Sequence, residues 1–257
     1  MIPVRAIHSR WQAAALHFLC SLSVFALLLG ILLLFWYPSP YFSASGGWQG
    51  LRLVAAVDLV LGPLLTLIIF NPAKSRRELT LDIGIVVLFQ LLAMLWGIRA
   101  IYEQRPVAVA FLDTSFYTVP AVSLTNQGFD LRELDRFGRS RPVFVYVDVP
   151  TSGEALQAYE RRLEQERVPP HEQADLYRPL DEHLSEVFRS SLSLEQIGQV
   201  APDMRLDIEH ALAGVSASDE DFRYLALTSR YRNILLIFNI EGSLFGTVSA
   251  PYKTGEL

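Results

Sequence analysis

Three long apolar runs within the first hundred residues constrain this chain more than any motif does. The first extends from about Ala13 to Tyr37, with a charge-free centre from Phe25 to Trp36. The second runs from Leu53 to Phe70 and holds one charge, Asp58. The third runs from about Leu81 to Ile98, with Asp82 at its start. A bilayer core of about 30 Å takes roughly 20 residues of helix. In hydrocarbon a helix satisfies all its backbone groups internally. A single such run could be a buried helix of a soluble protein. Three in succession predict a membrane domain of three transmembrane helices over residues 1–102, leaving 103–257 as a separate extramembrane domain.

Positive charge near the span ends sets the expected orientation. Arg5 and Arg10 precede the first run, and Lys74, Arg76 and Arg77 separate the second from the third. The loop from Pro38 to Gly50 has no Lys or Arg. The amino terminus and second loop are therefore expected in the cytoplasm, and the first loop and the residues after about 102 outside it. Trp36, Tyr37, Tyr41 and Trp48 cluster at the outer edge, where amphipathic rings favour the interface. The first run exceeds the usual 7–15 residues of a signal-peptide core, and aromatics and prolines separate it from Ser43-Ala44-Ser45, so it reads as a retained span.

Charge divides along the same boundary. Residues 1–100 hold 7 Lys/Arg and 3 Asp/Glu, net +4; residues 101–257 hold 15 and 24, net −9. An acidic outer domain argues against nucleic acid and against docking on anionic headgroups. The one cysteine, Cys20, lies in the first span, so the outer domain has no disulfide or thiol redox chemistry and must be held by its core.

Within that domain, Val107–Leu112 reads as a buried strand and Phe116–Val119 as a second after a tight turn. Val143–Val147 is β-branched and aromatic throughout, the strongest strand signal. Thr151 and Glu154 have capping-box spacing for a helix with Leu156, Tyr159 and Leu163 as its stripe, stopped by Pro169-Pro170. A second helix is expected from near His171, with Leu176, Leu180, Leu184, Val187 and Phe188 on one side. Ser193 and Gln196 suggest another capping box, and Asp203 a cap for a helix with Met204, Ile208 and Leu212 inward and Gly214 beyond its end. Arg223–Thr228, Ile234–Ile240 and Ser243–Ser249 return to strand, with Glu241-Gly242 as a turn. The expectation is an α+β domain with one mixed or antiparallel sheet and helices on one side.

Asp58 is the principal candidate for chemistry, because a carboxylate inside a span is costly. Gly62-Pro63 follows it. Proline donates no hydrogen bond, so the Leu59 carbonyl loses its helical partner and a kink is expected. Gly62 permits close approach of another helix, and Thr66 could bond a freed carbonyl. Gln90 is the first expected polar neighbour from the third span, and Arg99 the alternative if it snorkels inward. Two readings of this set stand: a proton or ligand site, or a polar clasp fixing helix packing. Asp82, in the first turn of the third span, suits the helix dipole, and Ser75 and Glu78 have capping-box spacing. His8 and His17 flank the cytoplasmic interface; His171 and His183 lack the spacing of metal ligands. No catalytic residue, metal site or cofactor is indicated, and no nucleophile-elbow, phosphate-loop or dinucleotide motif is present.

The run Trp36-Tyr37-Pro38-Ser39-Pro40-Tyr41-Phe42, the glycines Gly46-Gly47 and the stretch Asp58-Leu59-Val60-Leu61-Gly62-Pro63-Leu64-Leu65-Thr66 resemble the TfpX/TfpZ family of type IV pilin accessory proteins. Leu81-Asp82-Ile83, Gln90-Leu91-Leu92-Ala93, Trp96-Gly97 and Arg105-Pro106-Val107 extend the resemblance over residues 11–112, with Ile83 and Trp96 departing from the expected Leu and Tyr. The resemblance implies a bacterial inner-membrane protein with a periplasmic domain. It implies action on the major type IV pilin, affecting its amount or assembly, and no catalytic residues. Membrane lipid is the other expected partner, and self-association is left open. The rival reading is a membrane-bound enzyme that modifies pilin or a lipid-linked sugar at the periplasmic face. A sensor is a third, with little cytoplasmic chain to carry an output.

Overall fold

A computed structural model describes residues 9–213 and 218–250, with the side chains of Val200 and Asp219 left aside. Arg5, His8 and Gly214 lie outside these described residues. The chain divides into two units, one formed by residues up to Phe42 with Gly46–Glu103, the other by Ser43–Ser45 with Gln104 onward.

The first unit has three helices long and apolar enough to cross a membrane: α1 Arg10–Trp36, α2 Gly47–Ile69 and α3 Arg76–Glu103. This is a membrane protein with an α+β second unit. Ser9 caps α1 by accepting from the Gln12 N–H at 3.2 Å. At the start of α3 the Ser75 N–H donates to Glu78 Oε2 at 3.0 Å and the Glu78 N–H to Ser75 Oγ at 3.3 Å, the reciprocal bonds their spacing predicts. Asp82 pairs with Lys74 at 2.5 Å.

Helix α2 begins at Gly47, well before its apolar run. Its buried residues explain this: Gly47, Leu51, Val54, Asp58, Gly62 and Thr66 recur every three or four positions and form one inward stripe. Trp48 and Arg52, on the other side of the first turns, meet in a cation–π contact at 5.9 Å. Three close approaches fix α2 against α3. A Cβ on Gly50 would strike Ile101, one on Gly97 would lie 3.2 Å from Val54, and one on Gly62 would overlap the Gln90 amide. These contacts define an antiparallel register along the two helices.

The second unit is built on a seven-stranded sheet of β1 Pro106–Leu112, β2 Ser115–Pro120, β3 Val143–Val147, β4 Tyr177–Pro179, β5 Phe222–Thr228, β6 Asn233–Asn239 and β7 Leu244–Ala250. The order is β4-β3-β1-β2-β5-β6-β7, with parallel pairs at β1–β3 and β2–β5 and the rest antiparallel, so the sheet is mixed. Asp113, at φ 57°, makes the tight turn between β1 and β2, and Gly242, at φ 86°, the one between β6 and β7.

Cross-strand register separates the two faces. One carries Ala108, Ala110, Val119, Val143 and Val145, with Tyr224, Leu235, Ile237 and Val248 further along. Helix α4 Ala121–Thr125 and the 3-10 turn Leu131–Arg136 cover the first group, through Leu124 and Leu134. Helices α7 Leu194–Val200 and α8 Pro202–Leu212 cover the second, through Ile197, Met204 and Ile208. The opposite face carries a stack of rings. Phe116 lies 5.1 Å from Phe111, 5.6 Å from Phe144 and 5.7 Å from Phe238.

Several elements depart from the sequence reading. Helix α5 is Gly153–Arg161, and Ser152 precedes it without a side-chain cap, so the Thr151–Glu154 box is not formed. The helix expected from His171 is broken into 3-10 turns around β4, and only α6 Leu184–Arg189 is helical. Leu176 belongs to the first core, whereas Phe188 of α6 meets Phe238 on the ring face at 6.5 Å. The four-residue leucine spacing thus serves two faces of the sheet, and helices are not confined to one side. The Ser193–Gln196 capping box is formed in full. Pro202 opens α8, so Asp203 lies within its first turn, where its charge suits the dipole.

Candidate functional site

The inward stripe of α2 turns polar at its midpoint. Asp58 is 6% exposed, Thr66 2% and Gln90 of α3 9%, all within apolar helices. Counted from Gly47, Asp58 lies about 16 Å along α2, equally far from both ends. At that depth a carboxylate costs about 2.5–3.5 kcal/mol unless it is paired or protonated.

Around Asp58 the helix widens. Ala56–Leu61 is in π-helical register, and the Gly62 N–H donates to the Val57 carbonyl five residues back. Pro63 has no N–H to give. The Asp58 carbonyl therefore receives a bond from neither Gly62 nor residue 63. The proline gap that the sequence places on Leu59 falls on Asp58 in this register.

One turn further, Gly62 makes room for the Gln90 amide, which fills the position of the missing Cβ. His17 of α1 approaches from the other side. Its Nδ1 lies 2.6 Å from Thr66 Oγ1. Gln90 Oε1 is buried and receives no hydrogen bond from the described residues. The His17–Thr66 bond thus joins α1 to α2, and the Gln90 amide seated at Gly62 joins α3 to α2.

Asp58 takes no part in these contacts, and among the described residues no donor reaches its carboxylate. The register explains why. Gly50 faces Ile101, Val54 faces Gly97 and Gly62 faces Gln90. By that progression the level of Asp58 on α3 is Ala93–Met94, which offers no donor. Asp58, Met94 and Val24 line one groove of about 600 Å³ with His17, Thr66 and Gln90.

The aromatic motif at the other end of α1 is a packing device. Tyr37 is buried and its hydroxyl donates to the Ile101 carbonyl at 2.8 Å. Trp36 meets Tyr102 edge-on at 4.8 Å. Pro38 and Pro40 carry the chain into the helical turn Tyr41–Ala44, which starts with the Tyr41 N–H bonded to the Pro38 carbonyl at 2.9 Å.

His17 was not a sequence candidate. Thr66 lies 49 residues away, and the only available signal was a histidine four positions into an apolar run.

The second unit has its own cleft of about 560 Å³ where β2 and β5 diverge after two paired residues. Tyr117 of β2 stacks on His171 at 4.6 Å, beside Glu172, Ser123 and Arg230. Burial holds the His171 imidazole down at about 4, so the ring is neutral. Burial raises Glu172, and a hydrogen bond with Ser123 partly offsets this. Among the described residues no three His, Cys, Asp or Glu side chains converge to hold a metal.

The family described as Fimbrial assembly protein FimB matches residues 5–46, which include α1 and the aromatic motif. The fimbrial assembly protein of serogroups C1 and C2 of Dichelobacter nodosus is 42% identical over 100 residues, covering 39% of this chain and 76% of that protein. This chain belongs to the fimbrial assembly protein family. The serogroup I protein of the same organism is 42% identical over 100 residues, and the serogroup E1 protein 39% identical over 100. In both, the match spans 39% of the relative's length. No solved structure matches the chain.

Proposed function

We propose that this family member is an inner-membrane accessory protein that binds the major type IV pilin and governs its stability or its entry into the pilus without catalysing a reaction. The relatives named as fimbrial assembly proteins carry this reading, since one of them matches over 76% of its length. The finer assignment to the TfpX/TfpZ type rests on the Trp36–Phe42 and Asp58–Thr66 motifs.

The proposed topology has the amino terminus and the Lys74–Arg77 loop in the cytoplasm and the second unit in the periplasm. A chain with spans in the bilayer and a folded unit outside it can engage a membrane-anchored partner at two places, and linked contacts gain by effective concentration. The His17–Thr66 bond and the Gln90–Gly62 contact hold the spans as a preformed surface. The acidic, tightly packed second unit serves as the contact for the partner's soluble part.

The deciding experiment is in vivo crosslinking in the native cell, followed by detergent solubilisation, pull-down of this protein and mass spectrometry. Major pilin is expected as the leading partner. Recovery of unrelated envelope proteins or a glycolipid in its place would overturn the reading.

A further inference from the structure

We propose that the groove between α1 and α3 at the level of Asp58 docks a transmembrane helix of a partner that carries a protonated amine or basic side chain at mid-bilayer depth. Asp58 would be its counter-charge. The proposal deepens the accessory reading by naming what the spans recognise.

Two independent observations point to such an occupant. The first is Asp58 itself. Among the described residues no hydrogen bond or ion pair reaches its carboxylate, and the π register together with Pro63 strips helical partners from its carbonyl, so two kinds of acceptor sit at one position. The second is Gln90, nine-tenths buried on the same groove, whose Oε1 also lacks a donor among the described residues. Unmet acceptors in hydrocarbon call for donors.

The groove does not supply them. His17 and Thr66 are engaged with each other, and Ser21 and Thr80 carry no charge to balance a carboxylate. Arg76, which also lines the groove, starts α3 about 25 Å from the level of Ala93–Met94. A lipid amine stays at the headgroup, roughly 15 Å from the midplane. A cation at the depth of Asp58 therefore arrives on a protein helix. The apolar remainder of the groove, from Ala13 and Leu79 past Val24 and Met94, suits such a helix.

The test uses the full-length protein in its native membrane. A photocrosslinking amino acid replaces Gly84, which lines the groove and has open space where a side chain would begin. Exposed Leu88 and Leu95 serve as positions off the groove. Capture from position 84 should yield a protein with a Lys, Arg or free amino terminus in mid-span. The yield should fall about tenfold in Asp58→Asn and be largely kept in Asp58→Glu. Changing the partner's basic group to Met should cause the same loss, and that arm leaves this chain untouched should Asp58→Asn fail to accumulate. Capture of lipid alone, no capture, a helix without a basic group, or a yield indifferent to both changes would overturn the proposal. Pilin captured with no dependence on Asp58 keeps the pilin reading and sinks this one. A different protein captured with that dependence does the reverse.

Discussion

Gly62 holds α3 to α2 by what it lacks. A Cβ there would overlap the Gln90 amide, the free end of a flexible side chain. Gly62→Ala should therefore displace that amide from its seat against α2 and destabilise the three-helix unit by about 1–3 kcal/mol. Gly62→Ala with Gln90→Ala should cost less than the sum of the single changes, because the second removes the clash. Thermal unfolding in detergent reads both. Gly84→Ala, with nothing within 4 Å, should be neutral or mildly stabilising. His171 makes a separate prediction. It titrates near 4 when folded, against an ordinary value of 6.5. Above 6.5 both states are neutral and pH has no effect through it. Between 6.5 and 4 the unfolded chain takes the proton more readily, so stability falls as pH falls, by at most ~3 kcal/mol in all, and levels off below 4. Glu172, raised by burial, acts in the opposite sense. His171→Phe keeps a ring against Tyr117 and removes the histidine's contribution. The melting temperature should drop less between pH 7.5 and 4.5 in that variant than in the parent.

Elements differ in how well local pattern foretold them. The Ser193–Gln196 box and the Ser75–Glu78 box are local, involve residues three apart, and form as spaced. Ser193→Ala should lower stability by about 1 kcal/mol, checked by chemical denaturation of the protein in detergent. The Thr151 box does not form, and the His171 helix breaks where β4 joins the sheet. The Tyr177 hydroxyl donates to the His171 carbonyl at 2.6 Å, and β4 pairs with β3. Ladder bonds and burial of Tyr177 outweigh the helical periodicity of the leucines. The ring cluster is likewise nonlocal, joining β1, β2, β3 and β6. Phe238→Ala should remove about 3–5 kcal/mol, a larger loss than any cap, by the same denaturation measurement.

For the molecule as a whole, the proposed topology is open to direct test. In a Cys20→Ser background, a cysteine at Gln127 or Asp203 should react with a membrane-impermeant reagent in intact cells with a permeable outer membrane. A cysteine at Ala73 should react only after the inner membrane is opened. The reverse pattern would invert the orientation. Hydrophobic length and two-residue periodicity are local properties, and they sufficed to read the three spanning helices, the α+β class of the remainder and six of the seven strands. The sequence also marked Asp58, Gly62, Pro63, Thr66 and Gln90 as polar or kink-forming within apolar runs. Only the tertiary structure decided which of them meet. The helix register placed Gln90 against Gly62, brought in His17 for Thr66, and left Asp58 opposite Ala93–Met94 with its acceptors unmet. The physical reason is that a side chain's partner across a helix bundle depends on the axial offset between helices, which close contacts such as Gly50–Ile101 and Gly97–Val54 set and no single span encodes.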